Sequence, residues 1–180
     1  MSVEIPNLKD YIRSKPDYPK PGIMFRDITH LLGNAEAYSQ AVDELSEPYA
    51  GIHVDKVLAT EARGWALGGP LALRLYAGFV LVRKPNKLPF DTIEESYALE
   101  YGTDRLQMHV DALKPKELVV VHDDLIATGG TLLATVRLAQ RAGAEVVGVS
   151  ALLDLPDLGG SKLLRDLGLV VHTLIEFPGH

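Results

Sequence analysis

The chain has 180 residues, 47% of them hydrophobic, so it is long enough to bury a core, and at roughly 150 residues per domain it reads as one domain over 1–180. It has no cysteine, which excludes disulfides, thiolate nucleophiles and cysteine-based zinc sites. Lys plus Arg total 18 against 24 Asp plus Glu, and the net charge of −6 argues against general attraction to nucleic acid or anionic lipid. Apolar runs such as Leu75 to Val82 fall far short of the roughly 20 residues of a membrane span. Met1-Ser2-Val3-Glu4 lacks the basic-then-apolar layout of a secretory signal. The expectation is a soluble, cytoplasmic globular protein with no nucleic-acid or membrane partner.

In chain order, Leu8, Tyr11 and Ile12 at helical spacing predict a helix from about Asn7 to Arg13. Pro16, Pro19 and Pro21-Gly22 force an extended or turning segment after it. Asn34 is a good N-cap for a helix carrying Tyr38, Ala41, Val42 and Leu45 on one face. Strands are expected over Val54–Ala59, Phe79–Val82, Glu117–Val121, Val146–Leu153 and Leu169–Ile175, with helices over Trp65–Tyr76, Thr131–Arg141 and Gly159–Leu167. Continuous apolar strands alternating with helices predict an α/β fold with a mostly parallel sheet covered on both faces. Between Pro85 and Val110 the pattern turns polar and alternating, as in a hairpin or mobile hood beside the sheet.

The chemistry concentrates in Leu118-Val119-Val120-Val121-His122-Asp123-Asp124-Leu125-Ile126-Ala127-Thr128-Gly129-Gly130-Thr131. An apolar strand ends at two acids, and a loop of small and hydroxyl residues then enters a helix. In open parallel sheets ligands bind beyond the carboxyl ends of strands, where this loop must lie. Glycines allow close backbone approach, and the free N–H groups of a helix start attract phosphate. Ala127 to Thr131 therefore form a phosphate loop, with hydroxyls from Thr128 and Thr131. Asp123 and Asp124 would repel that phosphate but suit the two hydroxyls of a ribose. Together they describe a ribose-5-phosphate clamp. Rival loops fail: a Walker loop needs lysine after its second glycine, but Gly130 is followed by Thr131 and Leu132; no G-x-G-x-x-G occurs, and Gly148 to Leu152 lacks the last glycine of a nucleophile elbow. No two histidines stand three or four apart, which disfavours a helical zinc site.

Two other segments bear charge. Arg63 follows a strand and opens a helix, where a cation is unfavourable unless an anion joins it. Arg83, Lys84 and Lys87 form a dense basic cluster in an acidic chain.

Val119 to Thr131 resembles the signature of the type I phosphoribosyltransferases, which bind 5-phosphoribosyl-1-pyrophosphate. Three segments resemble the adenine-using branch: Pro21-Gly22-Ile23-Met24-Phe25-Arg26-Asp27-Ile28, Thr60-Glu61-Ala62-Arg63-Gly64 and Ser96-Tyr97-Ala98-Leu99-Glu100-Tyr101-Gly102. Arg83-Lys84-Pro85, Lys87-Leu88-Pro89 and the ending Phe177-Pro178-Gly179-His180 follow the same family in order. His122 stands where an apolar residue is usual, and Trp65 where Phe is expected.

The resemblance implies a type I fold with a small hood and mobile loop, and a reaction of adenine with phosphoribosyl pyrophosphate to AMP and pyrophosphate. It assigns Glu61, Ala62 and Arg63 to a pyrophosphate loop, and Arg83, Lys84 and Lys87 to pyrophosphate contact. Phe25 is expected to stack on the purine while backbone groups of Met24 and Arg26 read its amino group and N1, with Leu155 as a further wall. Glu100 is the implied catalytic group at the purine N7 proton, and Tyr101 a support of the closed loop. Magnesium (Mg2+) is the implied cofactor, held through substrate and water rather than by direct protein ligands, and a homodimer is the implied assembly. Alternatives are a sibling enzyme for another purine base and a non-catalytic sensor of phosphoribosyl pyrophosphate.

Overall fold

The computed structural model describes residues 7–98 and 102–179. The first element of the described residues is a 3-10 turn, Leu8–Tyr11, rather than the helix expected to Arg13. Arg13 is taken instead into a short strand β1 (Arg13–Lys15), antiparallel to β2 (Phe25–Asp27). Pairing with a distant strand has overridden a local helical pattern one turn long, which is marginal by itself. Helix α1 (Thr29–Gly33) follows, then α2 (Ala35–Ser46), capped as expected by Asn34, whose side chain accepts from Ala37 N at 2.9 Å.

The alternating part comprises β3 (Lys56–Thr60), α3 (Arg63–Arg74), β4 (Gly78–Val82), the hairpin strands β5 (Thr92–Ala98) and β6 (Thr103–His109), β7 (Leu118–Ile126), α4 (Gly130–Arg141), β8 (Glu145–Asp154), α5 (Gly160–Asp166) and β9 (Val171–Glu176). Five strands form one sheet in the order β4-β3-β7-β8-β9, every neighbouring pair parallel. α1, α2 and α3 cover one face around Leu31, Leu45, Leu67 and Leu71, while α4 covers the other around Leu132, Val136 and Leu138. Apolar burial on both faces explains why the strands read as nearly unbroken hydrophobic runs. The hairpin β5–β6 packs on the α4 side through Ile93, Tyr97, Leu106 and Met108.

Two details shape the site. β7 does not stop before its acids; it continues to Ile126, with Asp123 registered to Ala151 and Ile126 to Asp154. A longer neighbouring strand supplies a ladder for polar residues that local pattern reads as a strand end. In α3, Pro70 cannot donate to Ala66 O, and the Tyr38 hydroxyl from α2 donates to that carbonyl instead. A helix with an internal proline is thereby locked to its neighbour.

Candidate active site

β3 and β7 are adjacent and parallel, so the turn after Thr60 and the acids of β7 emerge side by side at the carboxyl edge. There α3 begins at Arg63, whose Nε lies 2.9 Å from Oδ2 of buried Asp124 as an ion pair not aligned as a hydrogen bond. The approach depends on Gly64, because a Cβ there would stand 2.8 Å from Asp123 Oδ1. That oxygen accepts from Asp124 N at 2.9 Å. Burial, and then the charge of Asp124, pushes the Asp123 carboxyl above the usual carboxylate range. Burial raises Asp124 too, against the opposing pull of Arg63.

A cavity of about 200 Å³ is lined by Arg63, both acids and every residue from Leu125 to Leu132. The expected phosphate loop, Ala127, Thr128, Gly129, Gly130 and Thr131, is thus brought together with Asp123 and Asp124. Gly129 adopts a φ of 81°, which suits glycine, and α4 starts immediately after it. The loop is backed by the start of α5: Gly160 N donates to Ala127 O at 3.0 Å, and a Cβ on Gly160 would lie 2.3 Å from that oxygen. Sequence reading missed this buttress; the Gly159-Gly160 pair before a helix was its only signal.

A second cavity, about 670 Å³, is lined by β1 and β2 residues Arg13, Ser14, Lys15, Phe25 and Asp27, by Tyr18, Ile28, Thr29 and Leu32, and again by Arg63. Phe25 meets Tyr18 edge-on, with ring centroids 5.1 Å apart. The Arg63 guanidinium carbon stands 5.0 Å from the Phe25 ring centre, and its Nη1 donates to Arg26 O at 3.5 Å. The Arg26 side chain turns elsewhere, donating to Ser14 Oγ and lying over the Phe177 ring at 4.3 Å. Asp27 takes hydrogen bonds from Thr29 N and Oγ1, each at 2.9 Å, and pairs with Arg13. Those bonds, led by Thr29 N, hold its carboxyl at about 2. Met24 and Leu155 do not line this cavity; Leu155 is buried beyond β8, donating to Ile126 O at 2.9 Å. Arg13, Ser14, Lys15 and Tyr18 were invisible in the sequence because their placement needs the β1–β2 pairing.

The basic cluster lies beside these cavities without lining either. Arg83 Nε donates to Glu61 Oε2 at 2.7 Å and its Nη1 to Lys87 O at 3.1 Å, while Lys84 N donates to Glu61 Oε1 at 2.8 Å. Burial opposes ionisation of Glu61, but these bonds win and hold its carboxyl low. Glu61 therefore organises the cluster. Ala62 is the N-cap of α3. Trp65 donates from its indole to Ala59 O at 2.8 Å and lies under the Arg83 guanidinium at 5.1 Å. Lys84 Nζ pairs with Asp104 of β6 in the hairpin. Glu100 and Tyr101 lie outside the described residues. His122 does not line the acid cavity: it is buried against Gly68 of α3, with Nδ1 2.9 Å from Ser150 Oγ.

The phosphoribosyl transferase domain family model matches residues 27–170. An adenine phosphoribosyltransferase of Rhizobium johnstonii is 57% identical over 180 residues, covering 100% of both chains. The chain belongs to the adenine phosphoribosyltransferase family. A crystal structure of the family member from Rhodothermus marinus has a TM-score of 0.90 at 51% identity, covering 94% of this chain and 96% of that one. The Saccharomyces cerevisiae member, solved with an imino-altritol bisphosphate and adenine, has a TM-score of 0.87 at 31% identity, covering 93% and 96%. The five-stranded parallel sheet is thus the type I phosphoribosyltransferase fold, and adenine phosphoribosyltransferases are pentosyltransferases of purine salvage.

Among the described residues no group of three His, Cys, Asp or Glu side chains could hold a metal ion. Asp123 and Asp124 nevertheless present hard carboxylate oxygens to one cavity, a donor set that suits magnesium bound through water.

Proposed function

We propose that this chain transfers the 5-phosphoribosyl group of phosphoribosyl pyrophosphate to N9 of adenine, releasing AMP and pyrophosphate. The observation that carries the reading is the position of Arg63. It lines both the Phe25 cavity and the cavity of the acids and phosphate loop, so a base and a phosphoribosyl group would meet beside it.

In this reading Ala127 to Thr131 and the first turn of α4 hold the 5-phosphate, and Asp123 and Asp124 accept hydrogen bonds from the ribose hydroxyls. Arg63, Arg83, Lys84 and Lys87 attract the pyrophosphate, with Glu61 and Ala62 shaping their loop. Phe25 stacks on adenine while main-chain groups of Met24 and Arg26 read its edge. At C1 the bond to the pyrophosphate oxygen breaks as the bond to N9 forms, and Glu100 takes the proton leaving N7. Tyr101 supports closure over the site, excluding water as a rival nucleophile. Asp123 and Asp124 would hold magnesium through water, and the ion would supply stabilisation of the leaving group's charge.

The cytoplasm as the place of work, action of 1–180 as a single unit, and a homodimer complete the proposal. In support of the dimer, the C-terminal end of α3 and the edge strand β4 expose Leu73, Tyr76, Phe79 and Leu81, an apolar face suited to a second copy. Sedimentation should return twice the chain mass; a monomer at all concentrations rejects that part.

The central test incubates the protein with magnesium, phosphoribosyl pyrophosphate and, in turn, adenine, hypoxanthine, guanine, xanthine or orotate. AMP and pyrophosphate are expected from adenine alone. Turnover of another base identifies a sibling enzyme, and tight binding without any turnover identifies a sensor.

A further inference from the structure

We propose that Asp104 competes with pyrophosphate for the ammonium of Lys84 and so sets how readily that product leaves, a positioning role for a residue outside the assigned site. The inference rests on the assignment of Lys84 to pyrophosphate.

Asp104 is fixed by its own hairpin. It is registered opposite Tyr97, whose hydroxyl donates to Oδ2 at 3.2 Å, and Arg105 N donates to Oδ1 at 2.8 Å. Tyr97 is itself packed on the core beneath the hairpin. The same Oδ2 takes the Lys84 ammonium. Lys84 is anchored from the other side, through its backbone N–H on Glu61 Oε1. Only the flexible four-carbon stem is free to move between partners.

Stability does not explain the pair, because the Lys84 side chain is 49% exposed and contacts of this kind contribute little. Its chemistry has another consequence. Should the ammonium swing to an anion, Asp104 keeps two donors and stays charged, facing the space Lys84 has left. Pyrophosphate at Lys84 must therefore share its cation with a fixed carboxylate, and like-charge repulsion weakens its hold. Arg63 with Asp124 and Arg83 with Glu61 repeat the pattern, so three of the four cations assigned to pyrophosphate have a resident acid. Asp124 and Glu61 belong to the assigned site. Asp104 does not, so its charge can be removed alone.

The test measures pyrophosphate as a product inhibitor against phosphoribosyl pyrophosphate, and its direct binding by calorimetry in the presence of magnesium. Asp104→Asn keeps the size of the side chain and removes the charge. Its inhibition constant should fall roughly three- to fivefold, the scale of one partly exposed charge pair. Lys84→Met should weaken pyrophosphate, and adding Asp104→Asn to it should strengthen binding less than it does in the wild-type background, because only the repulsion and no longer the competition for the ammonium is relieved. A purely structural Asp104 predicts the opposite sign, weaker pyrophosphate binding in Asp104→Asn; that result, or no change, overturns the proposal while Lys84→Met still shows its loss. If Lys84→Met leaves pyrophosphate binding unaltered, the assignment of Lys84 fails and the proposal with it.

Discussion

Arg63 and Asp124 meet across the gap between α3 and β7, 2.9 Å from Nε to Oδ2, and through this contact one guanidinium faces both cavities. Asp124 is only 5% exposed, so its charge depends on Arg63 for compensation. Removing one partner of such a pair leaves the other costly to bury.

Replacing Asp123 and Asp124 together by Asn should separate stability from binding. Both carboxyls are raised in the folded protein, so the folded state binds more protons than the unfolded chain above the normal carboxylate range. Stability from these groups is present at low pH and is lost as pH rises through the folded values. The double variant should melt higher than wild type at neutral pH, with the gap closing towards about pH 4. Its affinity for phosphoribosyl pyrophosphate should drop by about 10–100-fold, as expected for lost charge-assisted hydrogen bonds. Unchanged affinity by calorimetry would remove the acids from the ribose.

His122 makes the opposite pH prediction. Burial pushes its imidazole down to about 3, so between that value and 6.5 the unfolded chain carries a proton the folded protein lacks. Stability should fall on acidification across this window, by up to about 1.4 kcal/mol per pH unit. His122→Val should flatten the dependence whatever its offset at pH 7. Parallel denaturation curves from pH 7 to 4.5 would show that His122 is not the titrating group.

Gly160→Ala tests the buttress beneath the phosphate loop. A Cβ placed 2.3 Å from Ala127 O must displace the loop or α5. A misplacement near 1 Å can cost on the order of 100-fold, so KM for phosphoribosyl pyrophosphate should rise by about 10–100-fold. Adenine binding measured alone should be preserved; equal losses for both ligands would indicate general unfolding.

Glu100→Gln preserves size and hydrogen-bonding reach but cannot accept a proton. Single-turnover rates with adenine should fall by roughly 10²–10⁴-fold while both substrates still bind. An unaltered single-turnover rate would exclude Glu100 as the group that takes the N7 proton.

The sequence by itself determined the parallel sheet, because strands buried on both faces must be apolar throughout. It also marked out the segment from Asp123 to Thr131 that lines one cavity, since acids, hydroxyls and glycines stand within one short stretch and need no distant partner to be recognised. Asn34 capped its helix as read, for the same local reason. Tertiary structure decided the rest. Only pairing with β2 turns the expected end of the first helix into β1, and only that pairing builds the wall of the Phe25 cavity. β7 runs past its acids because β8 is long enough to continue the ladder. Neither the placement of Arg63 on Phe25 and Asp124 nor that of Lys84 on Asp104 could be read locally. Periodicity records which face of an element is buried, whereas the partner of a charge depends on which elements the fold brings together at the sheet's carboxyl edge.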